Sequence, residues 1–96
     1  MKTIFMEKYQ PLNSHQVGIK IRNEIINLIN TTEDIIILDF QNIDVCTDSF
    51  SQQITTILSK DLTFKIFKNR VKFKNLNNFL QELIKGNLYK ASQNKD

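Results

Sequence analysis

The chain has 96 residues, of which 41% are hydrophobic and 24% are charged, proportions that are usual for a globular domain. Its single cysteine, Cys46, excludes an internal disulfide and is typical of a reducing compartment. No segment approaches the roughly 18 consecutive apolar residues that a membrane-spanning helix needs. We therefore expect one domain over residues 1–96, a cytoplasmic location and no membrane partner.

The net charge of +3 conceals an asymmetry along the chain. Residues 1–59 carry four basic and seven acidic side chains, whereas residues 60–96 carry nine basic and three acidic ones. A basic C-terminal part indicates either an acidic partner or a solvated charged face. Composition leaves both interpretations open.

Two strands and a helix are predicted in the first 40 residues. Residues 1–10 contain a first strand, with Ile4 and Met6 on one face. An amphipathic helix follows over Val17–Asn30, where apolar residues recur at three- and four-residue spacing. The segment Ile35–Phe40 would place apolar side chains on both faces of a second strand, which predicts a central strand covered on both sides.

The rest of the chain predicts two helices, a third strand and one ambiguous segment. A helix is expected over Asp48–Ser59, whereas Asp61–Asn69 fits a strand and a helix equally well. Arg70–Lys74 alternates apolar and basic residues, which is typical of a strand with one solvated side. Asn75–Gly86 has the cap and the stop of a last helix, and residues 92–96 form a polar tail.

The alternation of strands and helices favours an α/β layer fold. We expect a mostly parallel sheet of three to four strands with about three helices, joined by right-handed crossovers. The loop between the second strand and the second helix would then lie at the carboxyl edge of the sheet. That edge is where α/β proteins commonly bind ligands and partners.

Ser49, at the start of the second predicted helix, has two interpretations. With Gln52 it has the spacing of a capping box, in which the hydroxyl accepts from an early backbone N–H of the helix. A phosphate on Ser49 would also meet free N–H groups at a helix N-terminus, so the residue is a candidate phosphoacceptor. Asp44 and Asp48 already supply negative charge on either side of it.

Three carboxylates, on Asp39, Asp44 and Asp48, lie in and around the same loop. Their spacing matches no cation-binding loop with a defined order of ligands, so we expect them to accept loop and cap hydrogen bonds. The sequence also lacks a paired nucleophile and base. It therefore predicts a non-catalytic protein without metal or cofactor.

Basic residues between positions 65 and 74 alternate with phenylalanines. Cations interleaved with aromatic rings are typical of a surface that binds single-stranded nucleic acid, which makes nucleic acid an alternative partner. The predicted strand turns Phe73 inward, however, and leaves mainly charge outside. The residues of this candidate basic patch are Lys65, Lys68, Arg70, Lys72 and Lys74.

Four motifs together resemble a known family. They are Leu38–Phe40, Asn42–Ile43, Thr47–Phe50 and Arg70–Leu76. An apolar strand ending in Asp-Phe, a short loop, a Ser/Thr-rich turn followed by Phe, and a late strand ending in Phe-x-Asn are similar to the STAS-like domain of unknown function. That family is a compact relative of the STAS fold of anti-sigma-factor antagonists and sulphate transporters. The resemblance extends from about Ser14 to Leu88.

The resemblance implies a small STAS-like α/β fold and a phosphorylation site. In STAS antagonists the same turn carries a serine whose phosphorylation releases a kinase-type partner. Ser49 falls at this serine, and Thr47 stands where the relatives have an Asp. Phe50 replaces a glycine, which suggests that the turn is anchored in the core.

Taken together, the residues and the resemblance predict a regulatory, protein-interaction module. Its interface would be the loop and helix start over Asn42–Ser49, with Asp44, Thr47, Asp48 and Ser49 as partner-binding residues. The expected partner is a histidine-kinase-like ATPase or, if the chain is a phage or mobile-element inhibitor, a host protein. The alternative is a nucleic-acid binder that uses the basic patch.

Overall fold

The computed structural model describes residues 1–93, in which three short strands alternate with helices. Strands β1–β3 are Lys2–Phe5, Ile36–Asp39 and Val71–Lys74. Helices α1–α5 are His15–Thr31, Asp48–Ile54, Thr56–Leu62, Phe64–Arg70 and Asn78–Gln93. A 3-10 helix over Met6–Tyr9 follows β1. No helix within residues 1–93 has both the length and the apolarity to cross a membrane.

The three strands form one parallel sheet in the order β1-β2-β3. Ile4 of β1, Leu38 of β2 and Phe73 of β3 lie opposite one another. The predicted α/β fold with a parallel sheet and a central second strand is therefore confirmed. Because β1 and β3 each pair on one side only in the part of the chain that the structure describes, both are edge strands.

The sheet is covered by helices on one face only, so the prediction of a strand covered on both sides was wrong. Ile36 and Leu38 of β2 are completely buried beneath the helices. On the opposite face, Ile35 before β2 and Phe5 of β1 are 37% and 53% exposed. Strand order explains the difference, since right-handed crossovers that advance in one direction place their helices on the same face.

Helix α1 packs against α2 through a contact that requires a glycine. Ser14 caps α1 by accepting a hydrogen bond from Val17 N at 3.3 Å. A β-carbon on Gly18 would lie 2.7 Å from Cβ of Gln53 and 3.2 Å from the carbonyl oxygen of Phe50. The missing side chain thus lets the two helices approach closely, and it brings the start of α2 to a fixed position.

The region after the loop forms three short helices in place of the one helix and the ambiguous segment of the prediction. Thr55 separates α2 from α3 with backbone angles of −125° and −87°, which are not helical. Thr63 has a positive φ of 71° and begins α4 by accepting from Ile66 N. Most of Asp61–Asn69 is consequently helical.

Both ends of the chain differ from the prediction in detail. The first strand ends at Phe5, and the remainder of residues 1–10 includes the 3-10 helix. Asn77 rather than Asn75 caps α5, because its side chain accepts from Leu80 N at 2.8 Å. The helix continues through Gly86 to Gln93, so the predicted tail of residues 92–96 begins as helix, and residues 94–96 lie outside the described residues.

Candidate functional site: the loop after the second strand

The loop between β2 and α2 leaves the carboxyl edge of the sheet, as the topology requires. Asp39, the last residue of β2, is 5% exposed and fixes the start of the loop. Its Oδ1 accepts from Gln41 N and from Nδ2 of Asn75, both at 2.9 Å. Asn42 then adopts a positive φ of 65°, a conformation that Asn tolerates better than most residues. The chain therefore turns back over the edge of the sheet.

Two further elements hold the middle and the end of the loop. Nδ2 of Asn77, at the start of α5, donates to the carbonyl oxygen of Asp44 at 2.8 Å. Thr47 N donates to the carbonyl oxygen of Leu12, before α1, at 3.1 Å. The side chain of Ile43, just before the first of these attachments, is buried. Hydrogen bonds from the segment before α1 and from the segment before α5 thus hold the loop in place.

The exposed residues over positions 44–49 of this loop are the candidate interface, which we call the loop surface. Val45, 64% exposed, is an apolar side chain within a run of polar and acidic ones. Beside it lies a cleft of about 390 Å³ whose other wall is Pro11, Leu12 and their neighbours. The loop surface consists of Asp44, Val45, Thr47, Asp48 and Ser49.

The hydroxyl that caps α2 belongs to Thr47, so the prediction of a capping box at Ser49 was wrong. Oγ1 of Thr47 accepts from Phe50 N at 3.2 Å. Gln52, the expected partner of Ser49 in the box, donates instead to Oδ2 of Asp48 at 2.6 Å. Ser49 is exposed, and its hydroxyl lies 3.4 Å from that of Thr47. Phe50 is fully buried, as the replacement of glycine by Phe suggested.

Asp48 connects the loop surface to α5. Besides the bond from Gln52, its Oδ1 accepts from Nδ2 of Asn87 at 3.2 Å. Asn87 is 2% exposed and also donates to the hydroxyl of Ser51 at 2.7 Å. Asp48 is therefore held in place by α5, whereas the carboxylate of Asp44 makes no side-chain hydrogen bond or ion pair within residues 1–93.

The surroundings of the site lower the pKa of the Asp39 carboxyl group and raise the pKa of the Cys46 thiol. The hydrogen bond from Asn75 lowers the pKa of Asp39, with smaller contributions from the Gln41 amide and the charge of Lys74. Burial raises the pKa of the Cys46 thiol to about 11, and the nearby charge of Asp48 adds to the effect. The thiol is thus neutral at physiological pH. Within residues 1–93, no three His, Cys, Asp or Glu side chains converge on a common metal position.

The residues of the predicted basic patch have different roles in the structure. The guanidinium of Arg70 donates to the carbonyl oxygens of Asp34 and Thr32, each at 2.8 Å. It therefore ties the end of α4 to the segment before β2. Lys72 and Lys74 lie on one face of β3, whereas Lys65 and Lys68 lie on α4, and all four are exposed. Four of the five cations are thus exposed, although the ammonium of Lys72 donates one hydrogen bond, to the Lys68 carbonyl oxygen.

Sequence reasoning missed two residues that shape the loop surface. Val45 does not stand out in the sequence, because neither the helical nor the strand period marks a single outward residue in a loop. Asn77 was overlooked because its partner, Asp44, is 33 positions away. The only available signal was the Asn-rich run before the last helix, since Asn is favoured at turns and helix caps.

Comparison with known proteins identifies a family to which the chain is similar. The family described as a STAS-like domain of unknown function (DUF4325) matches residues 17–81, which include the loop surface and all of β2 and β3. No curated protein and no solved structure matches the chain. The matched segment is about two thirds of the chain and includes all four motifs that carried the resemblance. The chain therefore belongs to the STAS-like domain family.

Proposed function

We propose that this STAS-like domain is a non-catalytic regulatory module that binds a protein partner through the loop surface. The observation that carries the proposal is the contrast between a fixed backbone and free side chains. Asp39, Asn77 and the Leu12 carbonyl fix the loop, whereas Asp44, Val45 and Ser49 point to solvent. A preorganised surface loses little conformational entropy when it binds.

The chemistry of the loop surface indicates the kind of partner that it fits. An exposed valine supplies a small apolar contact, and two carboxylates lie within three residues of it. Such an arrangement complements an apolar pocket with basic residues at its rim. Family membership supports a binding role, because STAS-like domains resemble the interaction modules of anti-sigma-factor antagonists.

Ser49 is the candidate site at which this binding is regulated. Thr47 already caps α2, so the Ser49 hydroxyl is exposed and its modification leaves the cap intact. A phosphate adds a charge of about −1.5 to −2 beside Asp44 and Asp48. The acidic character of the loop surface would therefore increase strongly. Mass spectrometry of the protein from its native cells tests this step, and an unmodified Ser49 under all growth conditions would argue against it.

Affinity capture with loop variants tests the interface. The immobilised wild-type chain, Val45→Glu and Asp44→Lys are each incubated with extract of the native cells. Glu33→Lys is the matched control, because Glu33 is exposed and precedes β2 at the opposite end of the sheet. We expect a protein that binds the wild type and the control and is lost from both loop variants. Equal capture by all four forms would place the interface elsewhere.

The identity of the captured protein decides between the two regulatory roles. A histidine-kinase-like ATPase favours a bacterial regulator, and a host enzyme or sigma factor favours a phage or mobile-element inhibitor. Nucleic-acid binding has less support, since the guanidinium of Arg70 is bound to carbonyl oxygens and Phe67 is buried. A salt-dependent shift of single-stranded DNA that Lys72→Glu abolishes would reverse this order.

A further inference from the structure

A second cleft, which shares no residue with the loop surface, opens beside β3. It has a volume of about 420 Å³, within the range of roughly 300–1,000 Å³ that is typical of ligand pockets. Its wall is mainly apolar, and two exposed lysines, Lys68 and Lys72, also line it. The apolar residues of this β3 cleft are Phe64, Phe67, Val71, Phe73 and Leu88.

The β3 cleft is located at the free edge of the sheet. Three consecutive residues of β3, Val71, Lys72 and Phe73, line it. Alternate side chains of a strand point to opposite faces, so one cleft can contact all three only where the strand has no neighbour. Strand order agrees, because within residues 1–93 β3 pairs only with β2.

The backbone of β3 has hydrogen-bonding groups available at this edge. Phe40 N donates to the carbonyl oxygen of Lys74 at 2.9 Å, so the peptide groups of Lys74 face β2. Since these groups alternate along a strand, those of Val71 and Phe73 face away from β2. Val71 N donates to the carbonyl oxygen of Phe67, which leaves the Val71 C=O and both groups of Phe73 at the edge.

The side chains flanking this edge differ in chemistry between the two faces. On one face, Phe73 adjoins the apolar wall, where its ring centroid lies 6.5 Å from that of Phe67. On the other face, Lys72 and Lys74 are exposed, and the ammonium of Lys72 donates one hydrogen bond, to the Lys68 carbonyl at 2.9 Å. An added strand would therefore meet apolar surface at every second side chain and positive charge at the intervening ones.

We propose that the β3 edge and the β3 cleft bind an extended segment of a protein partner in which apolar and acidic residues alternate. The segment adds a fourth strand next to β3, and its main chain bonds to Val71 and Phe73. Its apolar side chains enter the β3 cleft, and its carboxylates lie beside Lys72 and Lys74. This mode of recognition combines main-chain affinity with side-chain specificity.

The charge of β3 explains why the proposed occupant is an acidic segment and not a second copy of this chain. Pairing two β3 edges would bring Lys72 and Lys74 of one copy beside the same lysines of the other. Like charges directly opposite one another destabilise a strand pair, and lysine on an edge strand is a common protection against self-association. The same two lysines attract carboxylates.

Binding of designed peptides to the full chain tests the proposal. The probe is a short fluorescein-labelled peptide of alternating valine and glutamate, and its fluorescence polarisation is measured with wild type, Lys72→Glu and Lys74→Glu. Lys2→Glu is the matched control, because Lys2 is an exposed lysine on the opposite edge strand. Circular dichroism checks that each variant is folded. We expect saturable binding that either β3 substitution weakens about fivefold to tenfold and that the control leaves unchanged.

Modification of the probe separates strand addition from simple charge attraction. N-methylation of the peptide at the residues that bond to β3 should weaken binding about tenfold, and methylation at the intervening residues should have little effect. A valine–lysine peptide should not bind. The proposal is overturned if the valine–glutamate peptide does not bind, if both methylation patterns act equally, or if single-stranded oligothymidine displaces the peptide. Dimerisation of the free chain that Lys72→Glu abolishes would also overturn it.

Discussion

Gly18 on α1 and Gln53 on α2 are so close that a β-carbon on Gly18 would lie 2.7 Å from the Cβ atom of Gln53. The Phe50 carbonyl oxygen, at 3.2 Å, belongs to the backbone and cannot move alone. Gly18 thus determines how near α2 lies to α1. Because α2 begins inside the loop surface, this contact also affects the candidate interface.

Gly18→Ala should therefore destabilise the protein. Overpacking costs about 1–3 kcal/mol, and replacing a helical glycine by alanine returns about 1 kcal/mol, so we expect a net loss of up to about 2 kcal/mol. Gly86→Ala is the matched control, since a β-carbon there would meet no atom within 4 Å. It should stabilise α5 by about 0.5–1 kcal/mol. Urea denaturation measures both, and stabilisation by Gly18→Ala would contradict the close contact.

The capping of α2 predicts different outcomes for two neighbouring hydroxyl residues. Thr47→Val removes the oxygen that accepts from Phe50 N and should lower the free energy of unfolding by about 1 kcal/mol. Ser49→Ala removes an exposed hydroxyl outside the cap and should change it by less than about 0.5 kcal/mol. Chemical denaturation of the two variants compares these values. A larger loss for Ser49→Ala would restore Ser49 as the cap.

The buried amide of Asn87 predicts an energetic coupling between α5 and α2. Asn87→Ala leaves the fully buried Ser51 hydroxyl without this partner and should cost about 1–3 kcal/mol. Ser51→Ala in the same background removes the orphaned hydroxyl. The double variant should then be more stable than the sum of the single losses predicts, by at least about 0.5 kcal/mol. A strictly additive double-mutant cycle would show that the two side chains do not interact.

The parts of the fold that could be predicted from the sequence are those whose signal is local. The periodicity of α1 and the apolar run of β2 each depend on residues that are near one another in the sequence. The parallel sheet follows from the alternation of strands and helices along the chain. One-sided coverage of the sheet depends instead on strand order. The breaks at Thr55 and Thr63 depend on backbone angles that the apolar pattern does not encode.

The candidate site, too, could be predicted from the sequence only where the signal is local. Its location after β2 and the burial of Phe50 followed from sequence. The choice of Thr47 over Ser49 as the cap did not, because both hydroxyls stand near the helix start and tertiary contacts decide where the helix begins. The bond from Asn87 to Asp48 joins residues 39 positions apart, and no local pattern marks it.

The raised pKa of Cys46 predicts a thiol that is inert in the native state. Because burial and the charge of Asp48 place the pKa near 11, only a small fraction is thiolate at neutral pH, and the thiolate is the reactive form. Modification by iodoacetamide should be slow at pH 7 and rise steeply as the pH approaches 11. In urea the rate should match that of a free cysteine. Rapid modification of the folded protein at pH 7 would mean that the loop opens.

The bond from Asn75 to Asp39 predicts how the start of the loop responds to acid. Because the pKa of Asp39 lies below its ordinary value of 3.8, the ionised carboxylate stabilises the fold above that pH. This contribution should disappear as the pH falls through the lowered pKa. Asn75→Gly keeps the positive φ of 61° accessible but removes the amide donor, so the pKa of Asp39 should rise. Asn42→Gly, also at a positive φ, should leave it unchanged. Carboxyl ¹³C NMR titration measures each value, and equal pKa values in the two variants would refute this role for Asn75.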